Sequence, residues 1–566
     1  MAIIRARHQL PVFTKVRLRM YNNDISSLHR YSNRFLRSTD LSRDFNDPNG
    51  LHGYCLTDFG LSCLNRISEG LKTNSSRRAW RLTGDFGSGK SSFALLLANA
   101  FRDAKGRLPK ELCELVTTEI PEVKKKQYAP VLVVGNRGAI APAILQALLA
   151  VLEELFSRGT KSALELAIEK ALQKKNVSDD DALHLIREAN TKIIQSGKAS
   201  GMLLILDEVG KYLEFAALHP EQQDVYFLQQ LAEMASRSGK HPFMFVCLLH
   251  QGFNAYAEQL TQATQREWEK ISGRFDEIIF QQPLDQIALL ISSALNPVIE
   301  KIPSDLKNAS AQTLKKAIEF GWFGTTANRD NLYKLRNGLF PLDPMVLPVL
   351  VRTFQRYGQN ERSLFSFLSA YEPFGLRSFS NTLLTNKTHL YQLADFYDYV
   401  RANFGHRLAV ASYRTHWNVI ESIIEARSTD NPLELRVLKT VGILNLLNSD
   451  DFFPSEDAIC WAVGGLSQDE RHAAKTQLSK LSKERVLYFR GTTRGYSLWP
   501  YTSVDIEGRL DEAKKSIPRV AQIAQAITEQ LDSRPIVARA HYIKTGNLRY
   551  YDVVYCMATD LIEKAA

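Results

Sequence analysis

The chain has 566 residues, 45% hydrophobic and 23% charged, which is too long for one hydrophobic core and ordinary for a globular protein of several domains. Its net charge of +10, spread over that length, permits an anionic partner without demanding one. Six cysteines with no C-x-x-C pair and no histidine at metal spacing argue against a zinc site or disulfide framework, and no apolar run reaches the roughly 18 residues of a bilayer span, so a cytoplasmic setting with no membrane partner is expected.

Residues 1–76 form a mixed prelude. Its basic stretch 5–19, free of acids, reads through Pro11 and the alternation Val12, Thr14, Val16, Leu18 as an extended arm, and the prelude ends in the turn-rich run Thr73-Asn74-Ser75-Ser76. From 77 to 283 short apolar runs alternate with amphipathic helices, the pattern of a parallel sheet wrapped by helices. Strands are predicted at 79–82, 131–134, 202–206, 243–249 and 277–280, the number an ASCE-type P-loop core needs. Between the second and third, residues 161–195 carry Leu164, Ala167, Ile168 and Leu172 at helical spacing and predict a helical insertion.

From 284 to 427 the periodicity is helical, broken by Gly321, Gly324 and the turn Phe340-Pro341-Leu342-Asp343-Pro344, which predicts an all-α lid. After the break Ser428-Thr429-Asp430-Asn431-Pro432, helices at 433–447, 455–463 and 467–483 precede a hairpin, 486–490 and 495–499 across Gly491-Thr492-Thr493-Arg494. That order predicts a winged-helix domain over 433–500. The segment 501–566 reads as α/β, with helices from 504 and strand-like stretches at 535–542 and 548–554. It stops soon after a strand pattern begins, so a longer native chain is expected.

Gly84-Asp85-Phe86-Gly87-Ser88-Gly89-Lys90-Ser91 matches the Walker A pattern in full and, with Ser92, opens an apolar helix directly after a strand. Backbone N–H groups and the helix N-terminus suit this loop to phosphate. Lys90 is expected to reach the β- and γ-phosphates and Ser91 to ligate Mg²⁺. The apolar run 202–206 ends in Asp207-Glu208, carboxylates at the C-terminal edge of a parallel strand, where open α/β sheets bind ligands. Asp207 is expected in the Mg²⁺ shell and Glu208 to polarise the attacking water, as in a Walker B strand. The run 243–249 ends in His250-Gln251; either side chain could donate to the γ-phosphate, or the pair forms a polar turn without a catalytic role. The cofactors expected are ATP and Mg²⁺.

Ile271-Ser272-Gly273-Arg274-Phe275-Asp276 resembles the G-R-F-D segment of AAA+ ATPases. The resemblance implies an arginine finger at Arg274, with Arg266 second; the plain alternative is that Arg274 pairs with Asp276 or Glu277 at the surface. Arg362, in Gln359-Asn360-Glu361-Arg362-Ser363-Leu364, stands where a sensor-2 arginine would reach the γ-phosphate, or is an ordinary helix-surface arginine. Together RAWRLTGDFGSGKSSFALLLA, ILDEVGKYLE, LLHQGFNAYA, SGRFD and NERSLFSFL resemble large bacterial P-loop ATPases of the AAA+/STAND kind associated with anti-phage defence and DNA-modification operons. The resemblance spans 77–370. It departs from ordinary AAA+ proteins in lacking a sensor-1 Asn or Thr and in its helical insertion.

The resemblance implies an ATPase driving assembly or remodelling on DNA, with a homo-oligomer or partner proteins of the same system. The alternative is an ATP-gated protein-interaction switch without DNA contact. In the helix 467–483, Ala474, Leu478 and Leu481 share a face and are expected to pack inward, leaving His472, Lys475, Thr476, Ser479 and Lys483 outside. From 467 to 499 seven basic residues stand against three acids. Lys475, Lys483, Arg490 and Arg494 are therefore the candidate contacts to duplex DNA, unless this is the solvated face of a packing module.

Overall fold

In the computed structural model, residues 25–30, 39–85, 87–125, 127–156, 161–174, 177–218, 224–252, 270–358, 364–382, 389–409, 414–427 and 431–499 are described throughout, with single residues at 256, 265 and 268 and short pieces between 524 and 556. The expected N-terminal arm lies outside the described residues, as do Phe86, Arg266, Arg362 and most of the helical stretch expected from 504. The chain divides into two units, Met1–Trp499 and Pro500–Ala566.

In the first unit β1 (Ala79–Thr83), β2 (Tyr128–Val134), β3 (Gly201–Asp207), β4 (Phe243–Leu249) and β5 (Asp276–Ile279) form one parallel sheet in the order β2-β3-β4-β1-β5. Each stands where an apolar run predicts it. β4 lies between the strand that leads into the glycine-rich loop and the strand that ends in Asp207, the additional strand expected of an ASCE-type core. The register sets Thr83 beside Leu249 and Val134 beside Asp207, so these strands end on one ledge.

The helices around the sheet are α1 (Leu41–Phe45), α2 (Asp58–Ser68), α3 (Lys90–Arg107), α4 (Lys110–Glu119), α5 (Glu122–Lys125), α6 (Ile140–Leu155), α7 (Ala163–Gln173), α8 (Asp179–Gln195), α9 (Val209–Leu218) and α10 (Asp224–Ser236). A parallel sheet must be covered on both faces, and the alternation of side chains does this. Met202, Leu204 and Leu206 of β3 pack with α6 to α10, while Leu203 and Ile205 meet α2 to α4 on the other face. A buried side chain of this kind contributes about 1.5–3 kcal/mol. Five in succession hold β3 firmly enough to end in a buried carboxylate.

The stretch 161–195 carries the helices α7 and α8. Ser162 caps α7 in a capping box with Glu165, and Ser178 caps α8 by accepting from the Asp181 amide. On α7, Ala167 is exposed and Ala171 is buried. The inward face runs through Leu164, Ile168 and Ala171, an i, i+4, i+7 row that excludes position 167. Leu41, Phe45, Leu64, Ile67 and Leu71 from the prelude enter the core beneath β1 and α3.

One apolar cluster runs from Ala288 to Leu498. It joins the helices between 284 and 426 to Pro432–Leu447, Glu456–Gly464 and Gln468–Lys483 and to the antiparallel pair β6 (Leu487–Phe489) and β7 (Tyr496–Leu498). Polar contacts tie the same parts: the Tyr357 hydroxyl donates to Leu446 O at 3.1 Å, Arg356 to Leu447 O at 2.9 Å, and Lys439 meets Asp398 at 2.7 Å. In the second unit β8 (Ile536–Val537) pairs antiparallel with β9 (Tyr550–Tyr551). Among the described residues no helix is long and apolar enough to cross a membrane.

Candidate nucleotide-binding site

The glycine-rich loop begins where β1 ends. Gly84 N donates to Leu249 O at 3.1 Å, and a Cβ on Gly84 would lie 2.5 Å from Phe280 O, so only glycine lets the loop leave the sheet here. Gly89 caps α3 at φ +92, a left-handed conformation that a side chain would strain. The loop thus turns its backbone toward the N-terminus of α3, the partially positive end that suits an anion.

Lys90, the first residue of α3, is buried and folds back over the loop. Its ammonium donates to Gly84 O at 2.5 Å, Asp85 O at 2.8 Å and Ser88 Oγ at 3.3 Å. Burial pulls its pKa down to about 8, opposed by the carboxylates of Asp207 and Asp85. It is a cation held by dipoles, prepared for an anionic partner.

Asp207 ends β3 and is 5% exposed. Burial raises its pKa, while a hydrogen bond from the Ser91 hydroxyl and one from the Glu208 amide at 2.8 Å hold the charged form. A hydroxyl and a carboxylate in direct contact are the hard oxygen donors that Mg²⁺ selects. Among the described residues no group of three His, Cys, Asp or Glu forms a cage, and an ion that keeps waters and takes phosphate oxygens needs none. The donor set therefore fits a Mg²⁺-bound nucleoside triphosphate.

Glu208 leaves the strand at φ +51 and pairs with Lys211 on α9. His250 follows β4; burial lowers its pKa to about 4, with Lys90 and Lys211 acting in the same direction, so the ring is neutral at pH 7. The Tyr256 hydroxyl is hydrogen-bonded by the backbone of His250 and Gln251, which braces this turn; Gln251 itself is exposed. Ser92 shares a 2.6 Å hydrogen bond with Thr39 of the prelude. Lys90, Ser91, Asp207, Glu208 and His250 thus meet at one place, and Thr39, Lys211 and Tyr256 join them without having been singled out from the sequence. Lys211 had a legible signal, its i+3 spacing from Glu208. Thr39 and Tyr256 had none.

Arg274 stands apart. Half exposed, it pairs with Glu233 of α10 at 3.4 Å rather than with its neighbours. Asp276 is taken by Arg77 at 3.3 Å, and Glu277 by Arg81 at 2.8 Å and Thr83 at 3.1 Å. On the helix Gln468–Lys483, Ala474, Leu478 and Leu481 are buried and His472, Lys475, Thr476, Ser479 and Lys483 exposed, as the spacing predicts. Lys475 pairs with Glu456 at 2.5 Å, whereas among the described residues no ion pair engages Lys483, Arg490 or Arg494.

No family model matches the chain, and no curated protein matches it. Among solved structures it is similar to the Aeropyrum pernix ORC2 protein in its ADPNP-ADP complexes, at 13% identity and a TM-score of 0.28 over 83% of this chain and 95% of that one. The ADP form of that protein gives 13% and 0.28 over 84% and 98%. The Drosophila ORC bound to GC-rich DNA and Cdc6 gives 11% and 0.25 over 86% and 67%. Likeness at this level says only what the chain is similar to, and the site stands on its own residues.

Proposed function

We propose that this chain is a P-loop ATPase of the AAA+/STAND type that binds and hydrolyses ATP with Mg²⁺ and uses its nucleotide state to drive assembly or remodelling on DNA. The observation that supports it is the convergence, at one ledge of the sheet, of a loop lysine, a hydroxyl–carboxylate pair and a second carboxylate. Bound ATP and Mg²⁺ supply the phosphoanhydride and the divalent charge that neutralises it. Lys90, which donates to the carbonyls of Gly84 and Asp85, would donate instead to phosphate oxygens, and Ser91 and Asp207 would hold the metal. Glu208 orients the attacking water and draws on its proton. His250, kept neutral by burial, borders the same ledge at the end of β4.

The three helices and hairpin after 431 read as a winged helix, with Lys483, Arg490 and Arg494 as its duplex contacts and Lys475 reduced in that role by Glu456. An ATPase assay with and without duplex DNA, run beside a size measurement with ATP, tests this reading. Hydrolysis stimulated by DNA is expected; turnover indifferent to DNA, with no retention of a labelled duplex, rejects the DNA part. The second reading, an ATP-gated protein-interaction switch, is favoured by the single core from Ala288 to Leu498, which makes the hairpin region part of the helical body. A setting in anti-phage defence rests on the motif resemblance, and deletion of the gene leaving phage plating unchanged would remove it.

A further inference from the structure

Lys211 lies three residues beyond Glu208 on the first turn of α9, so its side chain runs back toward the carboxylates that end β3. Its ammonium pairs with Glu208 Oε2, and its amide donates to Glu208 O at 3.1 Å. The two side chains are 48% and 35% exposed, and a pair that open to solvent is weak and easily exchanged. Glu208 is the less mobile member: its backbone sits at φ +51 with its amide held by Asp207. Lys211 carries its ammonium on four methylenes, and its side chain is about half exposed. Its charge also reaches His250 at the end of β4, together with that of Lys90. An ammonium on a long, half-exposed side chain therefore stands beside the carboxylate proposed as the base, on the ledge that His250 also borders.

We propose that Lys211 is a positioning residue that holds Glu208 while the site lacks a terminal phosphate and transfers to that phosphate when a triphosphate binds, leaving Glu208 to the attacking water. This rests on the nucleotide-site reading above. A carboxylate covered by an ammonium is a poor acceptor from water, and a diphosphate offers Lys211 no oxygen at the terminal position. The pair would thus couple the identity of the nucleotide to the readiness of the base.

The test is equilibrium binding, which needs no turnover. Full-length wild type, Lys211→Ala and Lys211→Arg are titrated with Mg·ADP and with the β,γ-imido analogue of Mg·ATP. Lys211→Ala is expected to keep its ADP affinity and to lose roughly tenfold for the triphosphate, the worth of one charge-assisted hydrogen bond. Lys211→Arg, which keeps the charge, is expected to recover most of the difference. An unchanged ratio of the two affinities in Lys211→Ala overturns the proposal, as does an equal loss for both nucleotides, which would mark a structural role. Wild type that binds neither nucleotide overturns the nucleotide site itself, and the Lys211 proposal with it.

Discussion

On the proposed reading, variants of Lys90 and Glu208 should separate binding from chemistry. Burial disfavours the Lys90 charge and pulls its pKa to about 8, so the loop holds a cation with little solvent around it. Lys90→Ala removes the only side-chain cation of the loop, and titration with a fluorescent nucleotide is expected to show no saturable binding. Glu208→Gln keeps the shape and the Asp207–Glu208 amide bond but removes the base, so binding should persist while steady-state turnover falls by about 10²- to 10⁴-fold. Wild-type turnover in Glu208→Gln would remove Glu208 from that role. The proposed roles were readable from residue order alone, because a glycine-rich loop before a helix and a strand-end carboxylate pair are local patterns. The pairing of Glu208 with Lys211 is nearly as local. By contrast, the Ser92–Thr39 bond spans 53 positions and left no trace in either local segment.

At the scale of elements, the turn after Phe340 carries a titration of its own. Asp343 is wholly buried, accepts from the Met345 amide at 2.9 Å and meets the Thr313 hydroxyl; burial raises its pKa from 3.8 to about 7. The native state therefore binds this proton more tightly than the unfolded chain. The stabilising contribution is complete below 3.8 and is lost as pH rises through about 7. Asp343→Asn, which keeps an acceptor for Met345, should flatten the fall in melting temperature between about pH 4 and about pH 7. An unaltered fall would show that other groups cause it. The turn was visible in the sequence through its two prolines, but the environment of its carboxyl was not. The five strands were legible for a related reason: a strand buried on both faces must be a continuous apolar run. Helix faces were nearly as clear, though spacing alone did not show that Ala167 lies outside the buried face of α7. Partners across elements stayed hidden. Neither Lys475 with Glu456 nor Arg274 with Glu233 follows from the spacing within any single element.

For the molecule as a whole, the open question is what its exposed arginines meet. Arg274 is half exposed beside β5, one of the two edge strands, and its pair with Glu233 is a surface pair of modest worth, about 0–1 kcal/mol. If it serves a neighbouring subunit, Arg274→Ala should be inactive alone and regain part of its turnover when mixed with Lys90→Ala, whose own arginine is intact. An arginine finger is worth about 10³- to 10⁵-fold in rate, so rescue would stand well above background; no rescue from a monomeric ATP-bound protein rejects the trans role. The hairpin poses the corresponding question for DNA. Arg490 and Arg494 flank its turn, where the Arg490 amide donates to Gly495 O at 2.8 Å, and Tyr488 and Phe489 beside them are 37% and 47% exposed. Lys483 ends the preceding helix with its side chain in solvent. Because Lys475 is already paired with Glu456, its removal would also release an acid, and the effect cannot be assigned to a phosphate alone. The informative variant is therefore Lys483→Ala, Arg490→Ala, Arg494→Ala. Each DNA phosphate deprived of its cation should reduce the slope of log K against log salt by about 0.9 and weaken binding to all duplexes alike. None of the three side chains enters the core that begins at Ala288, so the melting temperature should be unchanged. A stable variant with the wild-type salt slope would assign the hairpin to protein contacts and favour the switch over the DNA motor.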